Sequence, residues 1–221
     1  MITALRNNVI LSRWIMKQDI EYRKRELLIE EAKKEFLEKG YNKASLRNIC
    51  ARAGVTTGAL YFFFKNKEDL FAEIVDGPLK GLKELIIRHF TEDEKVMKGI
   101  GSVDEIYQDH SMESDMFIEY IYNYRDSFIL LLNSSENTVY ENCVDEFVEM
   151  LENATPKMLS GMKGYTCDAY MSHWMSHLTI DAFINVVKHI EDVNEAKSRM
   201  RPILNYLVKG WIELVMVEKN T

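Results

Sequence analysis

Proline and glycine are scarce in this chain, three and ten in 221 residues, which leaves little room for a disordered region. Cysteine is scarce too. Cys50, Cys143 and Cys167 are odd in number and far apart, which argues against a disulfide scaffold and fits a reducing compartment. No apolar run is long. Val9-Ile10-Leu11 is cut at Ser12 and Arg13, too short for a signal peptide or a membrane span. Alternating strand patterns, Asn-Gly hairpin signals and fixed-period repeats are all missing, so the fold class expected is all-α. A Walker loop, Gly-x-Ser-x-Gly, His-Glu-x-x-His and Cys-x-x-Cys are missing as well. The many carboxylates are scattered along helix faces, where solvation explains them. Catalysis is not expected, and neither is a cofactor or a bound metal.

Charge is present, and it is unevenly placed. The net charge is −7, which by itself disfavours nucleic acid. Yet residues 1–75 carry 14 Lys+Arg against 10 Asp+Glu, and the remainder 14 against 25. A basic head on an acidic body suits a DNA reader that must not spread over phosphates with its whole surface.

The chain is organised around Ser45 to Lys67, SLRNICARAGVTTGALYFFFKNK. Leu46, Ile49 and Ala53 recur at steps of three and four and share one buried stripe. Ser45 is placed to cap that helix through its side-chain oxygen. Gly54 follows where a turn needs positive φ. Thr56 can cap a second helix, Thr57 to about Phe63, with Leu60 inward. Two helices so joined are a helix-turn-helix, the second shaped for a DNA major groove. Upstream, residues 20–39 read as a helix with a Leu28, Ile29, Ala32, Phe36 stripe, ended by Gly40. Downstream, Asn66 caps a helix with Glu68 and Asp69 in its first turn, and Gly77-Pro78 should kink or break it. Residues 1–20 are an N-terminal extension. Its first part is either a floppy or helical tail, or a basic arm (Arg6, Arg13, Lys17) for DNA phosphates.

Ala53-Gly54-Val55, Gly58, Leu60-Tyr61, Phe64, Lys67 and Leu70-Phe71, flanked by Phe36, Gly40-Tyr41 and Leu46-Arg47-Asn48-Ile49, resemble the signature of the TetR family of bacterial transcriptional regulators. The likeness is dense over residues 21–81 and fades beyond. It implies a helix-turn-helix DNA-binding domain at 21–81, with its motif at about 45–64. It also implies an α-helical effector-binding and dimerisation domain at 82–221. By the resemblance, Arg47 reaches phosphate or a guanine edge, and Thr56 and Thr57 meet phosphate or bases. Gly58 and its neighbour Ala59 let the helix start approach the DNA backbone. Tyr61 places its hydroxyl on phosphate, and Lys67 matches the family's phosphate-contacting lysine. This chain departs from the family at Phe62 and Phe63, where polar aromatic residues are usual. Phenylalanine neither donates nor accepts, so Phe62 points to thymine-methyl contacts and DNA shape, hence an AT-rich operator, with Phe64 in the core.

The body reads as helix after helix. A helix carries Leu79 to Phe90, a loop covers Glu92–Gly101, and Met116–Asn133 is strongly apolar. A helix at Thr138–Glu152 precedes a break at Pro156–Gly164. One long helix spans Tyr165–Ile190, and a last one runs to about Val217 with Pro202 in or near its first turn. Leu204, Leu207, Trp211 and Val215 step by three and four on that last helix. With Tyr170 and Trp174 on the helix before, the resemblance implies a four-helix seam between two copies. Phe117, Tyr120, Tyr124 and Phe128 are spaced to share a face with Met116 and Ile121 at its edges, and with Trp174 and His177 they are candidates for a ligand cavity that twelve methionines would keep adaptable. For any single residue of such a stripe, plain core is the commoner reading. Arg125 and Asp126 are either polar hooks for a ligand or a solvated pair. His173, His177 and Asp181 have metal-ligating spacing, but the set is incomplete and structural histidines are commoner.

These readings imply a cytoplasmic, nucleoid-associated homodimer that binds a palindromic operator in double-stranded DNA. A small apolar or aromatic effector releases it, and it has no business with membranes. The alternative is a DNA-binding regulator or adaptor without an effector, which needs no cavity.

Overall fold

The computed structural model describes residues 2–97, 110–159 and 164–218, with side chains from residue 16 onward, Met97 apart. The chain divides into two compact units, Met1–Asp76 and Gly77–Thr221, each described here by itself.

In the first unit, α1 (Ile2–Lys43) is interrupted at Gly40, whose φ of 73° and ψ of 163° are not helical. The helix therefore begins well before residue 20, and residues 2–19 extend it. The side chains of Arg6 and Arg13 lie outside the described residues, while Lys17 pairs with Glu21 at 3.9 Å. Next come α2 (Leu46–Arg52), α3 (Thr57–Phe63) and α4 (Lys67–Met97). The core is Leu28, Ala32, Phe36, Ile49, Leu60, Leu70 and Phe71, all sealed from solvent. Each large apolar side chain so buried contributes about 1.5–3 kcal/mol. Phe36 and Tyr41 each approach Phe71 edge-on, with ring centres 5.2 Å apart, which fixes α1 on α4.

Polar bonds then set the angle of the two motif helices. Gly54 has φ 65°. Its N–H donates to the Ala51 carbonyl (3.3 Å) and the Val55 N–H to that of Cys50 (3.0 Å), a Schellman ending for α2. Thr56 Oγ1 accepts from the Ala59 N–H at 3.2 Å, and Asn66 Oδ1 from that of Asp69 at 2.7 Å, so both caps expected there form. The Ser45 cap does not form. A fully buried carboxylate takes over that end instead. Glu35 Oε1 accepts from the Ser45 N–H (3.2 Å), Asn48 Nδ2 (3.3 Å) and Lys39 Nζ (2.9 Å), and its Oε2 from Arg52 Nη2 (2.5 Å).

The second unit corrects the sequence reading at its breakpoints. α4 runs unbroken through Gly77 and Pro78 and on past Glu92. A proline removes one backbone donor, whereas Leu70, Phe71, Ile74 and Val75 before it and Leu79, Leu82, Leu85 and Ile86 after it are all buried. The remaining part of the loop expected up to Gly101 lies outside the described residues. The stretch Met116–Asn133 is two helices, α5 (Ser111–Asn123) and α6 (Arg125–Ser134), broken at Tyr124 with φ −126° and ψ 30°. α7 (Cys143–Leu159) starts after a run of turns and continues through Pro156. Tyr165–Cys167, expected as helix, is the strand β1, and Asp168 then caps α8 (Ala169–His189) by accepting from the Met171 N–H at 2.9 Å. α9 (Val193–Val215) is capped by Asp192, so Pro202 lies in its interior and not in its first turn. β2 (Met216–Glu218) returns antiparallel to β1, with Thr166 opposite Val217. Among the described residues the fold is all-α apart from this short ribbon. Packing of α5 and α8 on α9, and of α7 on α8, builds the body. Arg201 on α9 clamps Asp115 on α5 through two bonds, of 2.8 and 2.5 Å.

Candidate nucleic-acid interface and body cavity

α3 turns one face inward through Leu60 and the opposite face to solvent. Thr56, Thr57 and Gly58 are exposed, Ala59 is half-buried, and Tyr61 and Phe62 are 58% and 71% exposed. Arg47 on α2 is exposed, and among the described residues it, Lys43 and Lys65 take part in none of the ion pairs. Phe64 is buried, as expected, with the Arg25 guanidinium 5.4 Å from its ring. Gly58 is informative. It is helical with ordinary φ, and a Cβ built on it would meet only Thr56 Oγ1, at 3.8 Å. Neither backbone nor packing requires a glycine there, although glycine costs a helix about 1 kcal/mol relative to alanine.

Lys67 is placed differently from the other candidates. Its ammonium donates to the Tyr41 carbonyl (2.7 Å) and the Asn42 carbonyl (3.3 Å) and stands 4.5 Å from the Tyr41 ring centre. Burial there pushes its pKa down. It therefore serves as a C-terminal clasp on α1, with only one ammonium proton left over.

The body holds a half-open cavity of about 460 Å³ between α4, α5, α6, α7, α8 and α9. Of the eight cavity candidates Phe117, Ile121 and Phe128 line it. Tyr120 lies against α4, its hydroxyl donating to the Pro78 carbonyl at 3.1 Å. Met116 is half-buried away from the cavity, and Tyr124, Trp174 and His177 are exposed. Arg125 is no ligand hook, because its Nη2 donates to the Val187 carbonyl near the C-terminus of α8 at 3.0 Å. Conversely, Leu204, Leu207 and Trp211, expected at the dimer seam, line the cavity, and Val215 is core beside Leu207 and Met175. α9 is apolar on two sides, and the stepping rule selected the inner one. The outward apolar set is Ile203, Tyr206 and Leu214 on α9, beside Tyr170, Trp174 and Leu178 on α8.

The sequence reading missed the histidines and carboxylates of the lining, His89 and Asp93 on α4 and His110 and Glu113 at the start of α5. The signal was there. His89 and Asp93 continue the Leu82, Ile86 stripe at steps of three and four, across what read as a loop. A separate surface cluster joins Glu152 of α7 to His173 and His177 of α8, with potential ligand atoms within 4.8 Å of one another. Asp181, grouped with these histidines on spacing, is not part of it. Two imidazoles and a carboxylate are a donor set suited to zinc, although all three are at least partly exposed.

Among the described residues, no helix is long and apolar enough to cross a membrane. Residues 28–74 match the family model of the bacterial regulatory proteins of the tetR family. Over 201 residues the chain is 24% identical to an uncharacterised helix-turn-helix transcriptional regulator, YhgD of Bacillus subtilis, covering 88% of this chain and 95% of that one. Over 51 residues it is 45% identical to the transcriptional repressor BepR of Brucella suis, a match spanning 23% of this chain and 24% of that repressor. A crystal structure of a transcriptional regulator from Aquifex aeolicus shares the fold at TM-score 0.57 and 21% identity, over 83% of this chain and 99% of that one. These relatives are regulators of transcription, not enzymes.

Proposed function

We propose that this chain, which belongs to the TetR family of bacterial transcriptional regulators, is a repressor that binds a palindromic operator as a homodimer and lets go when a small apolar or aromatic molecule enters its body. The observation that carries this reading is the outward row of α3. Thr57, Gly58, Tyr61 and Phe62 face solvent, with a glycine that serves nothing inside the chain. Phosphate contacts from Arg47, Thr56 and Tyr61 would fix the register, and Phe62 would read thymine methyls and groove shape. Lys67 contributes by shaping the end of α1.

Dimerisation is supported by six exposed large apolar side chains on α8 and α9, which a four-helix contact between copies would cover. Such a pair would hold its two recognition helices about 34 Å apart, one turn of DNA. The cavity supports an effector, which acts only through a difference in affinity between two arrangements of the dimer. α4 belongs to both halves of that mechanism, since it begins beside the motif and its later residues line the cavity. The site of action would be the nucleoid in the cytoplasm. A cavity of this size favours the sensor over an adaptor without effector. A salt titration of band shifts on fragments of the source genome tests the reading. Sequence-specific binding that weakens steeply with salt is expected, and its absence would sink it.

A further inference from the structure

The cavity is apolar along most of its wall and acidic at one end. On α4, His89 Nε2 lies 3.3 Å from Asp93 Oδ2, and the His89 ring meets Phe117 edge-on at 5.3 Å. From α5 comes Glu113, whose Oε2 is shut off from solvent and has no hydrogen-bond partner among the described residues. A buried carboxylate oxygen without a donor is costly and calls for an explanation. Among the described residues, neither lysine nor arginine lines the cavity to supply one. The two carboxyl groups are near enough to act on each other. Burial pushes Asp93 above the usual carboxylate range, His89 and His110 pull it down, and Glu113 and Glu92 push it up again. Among the described residues, this apolar chamber ends in two carboxyls with only the imidazoles of His89 and His110 beside them and no lysine or arginine, which is complementary to one kind of guest.

We propose that this end of the cavity is a cation-reading subsite: the effector carries a protonated amine on an apolar body, with Glu113 Oε2 accepting its first N–H and Asp93 facing the same charge. The apolar body lies along Phe117, Ile121 and Phe183, which line the cavity together with Phe90. A guest headed by a carboxylate meets like charge and is rejected. The inference rests on the reading of the cavity as the effector site, and it adds the chemistry of the guest.

Three probes with one body separate the possibilities: decylammonium, decan-1-ol and decanoate, titrated by calorimetry into the full-length protein near neutral pH. Decylammonium is expected to bind at least about tenfold more tightly than decanol, with decanoate weakest. Glu113→Gln should remove most of that preference by weakening decylammonium far more than decanol, and Asp93→Asn should likewise weaken decylammonium most, with circular dichroism confirming that both variants fold. Equal binding of amine and alcohol, tightest binding of decanoate, or equal loss for all probes in Glu113→Gln would overturn the cation subsite and leave an effector cavity standing. If none of the three binds, the effector reading falls and takes this inference with it.

Discussion

Gly58 separates folding from function at a single residue. Its absent side chain is required by nothing in the chain, so Gly58→Ala should stabilise the protein by about 0.5–1 kcal/mol. The same variant should weaken operator binding, because the new methyl points where DNA must come. Thermal melting reads the first effect and a band shift the second; a variant that binds as wild type does would deny α3 its role. Phe62 and Phe64 make a second contrast. Phe62→Ala should leave stability nearly unchanged and reduce DNA affinity, while Phe64→Ala should cost about 3–5 kcal/mol. Glu35 is the residue on which the geometry of the head rests. Burial alone would raise its pKa, but hydrogen bonds from Lys39, the Ser45 N–H and Asn48 outweigh that and hold its carboxyl below the ordinary range. A carboxyl lowered in the folded state contributes stability that is complete above its unfolded value of about 4.3 and is lost as pH falls through its folded value. Acid titration of wild type should therefore lose stability in that window. Glu35→Gln should be less stable by about 2–3 kcal/mol at neutral pH, with a flatter acid profile.

At the scale of elements, glycine and proline acted through their neighbours. Gly81 on α4 accommodates α5: a Cβ there would stand 2.0 Å from the Tyr120 hydroxyl oxygen. Gly81→Ala should thus destabilise the body, and Tyr120→Phe combined with it should recover part of the loss, a non-additivity measurable by denaturant titration. The motif helices were legible in the sequence because their signals are local. Thr56, Asn66 and Gly54 each act within four residues of their own position. What stayed hidden depends on residues far apart. The end of α2 is held by Glu35, ten residues before Ser45, and β1 pairs with a segment some fifty residues later. Pro78 and Pro156 read as breaks and Pro202 as part of a first turn because each removes a donor, yet each helix has enough buried face to run on. The cavity and the seam were exchanged because α8 and α9 are apolar on both sides, and periodicity alone does not say which side faces inward.

For the whole molecule, the exchanged faces lead to opposite outcomes for neighbouring residues. Trp174→Glu with Tyr206→Glu should give a folded monomer in sedimentation velocity that no longer holds the operator. Leu207→Ala should instead cost about 2–5 kcal/mol of fold stability through its place in the core. A dimer unmoved by the double change would place the partner surface elsewhere. In the proposed dimer the basic head would present α3 twice, and the acidic body would keep the rest of the protein off the phosphates. The most direct measurement of that claim is selection of bound fragments from random DNA, followed by salt titration of the best one. The account predicts a twofold-symmetric, AT-rich site with half-sites about one helical turn apart, whose affinity falls steeply with salt and is lost in the glutamate double variant. Enrichment of no sequence, or of a site bound equally well by that monomeric variant, would contradict it.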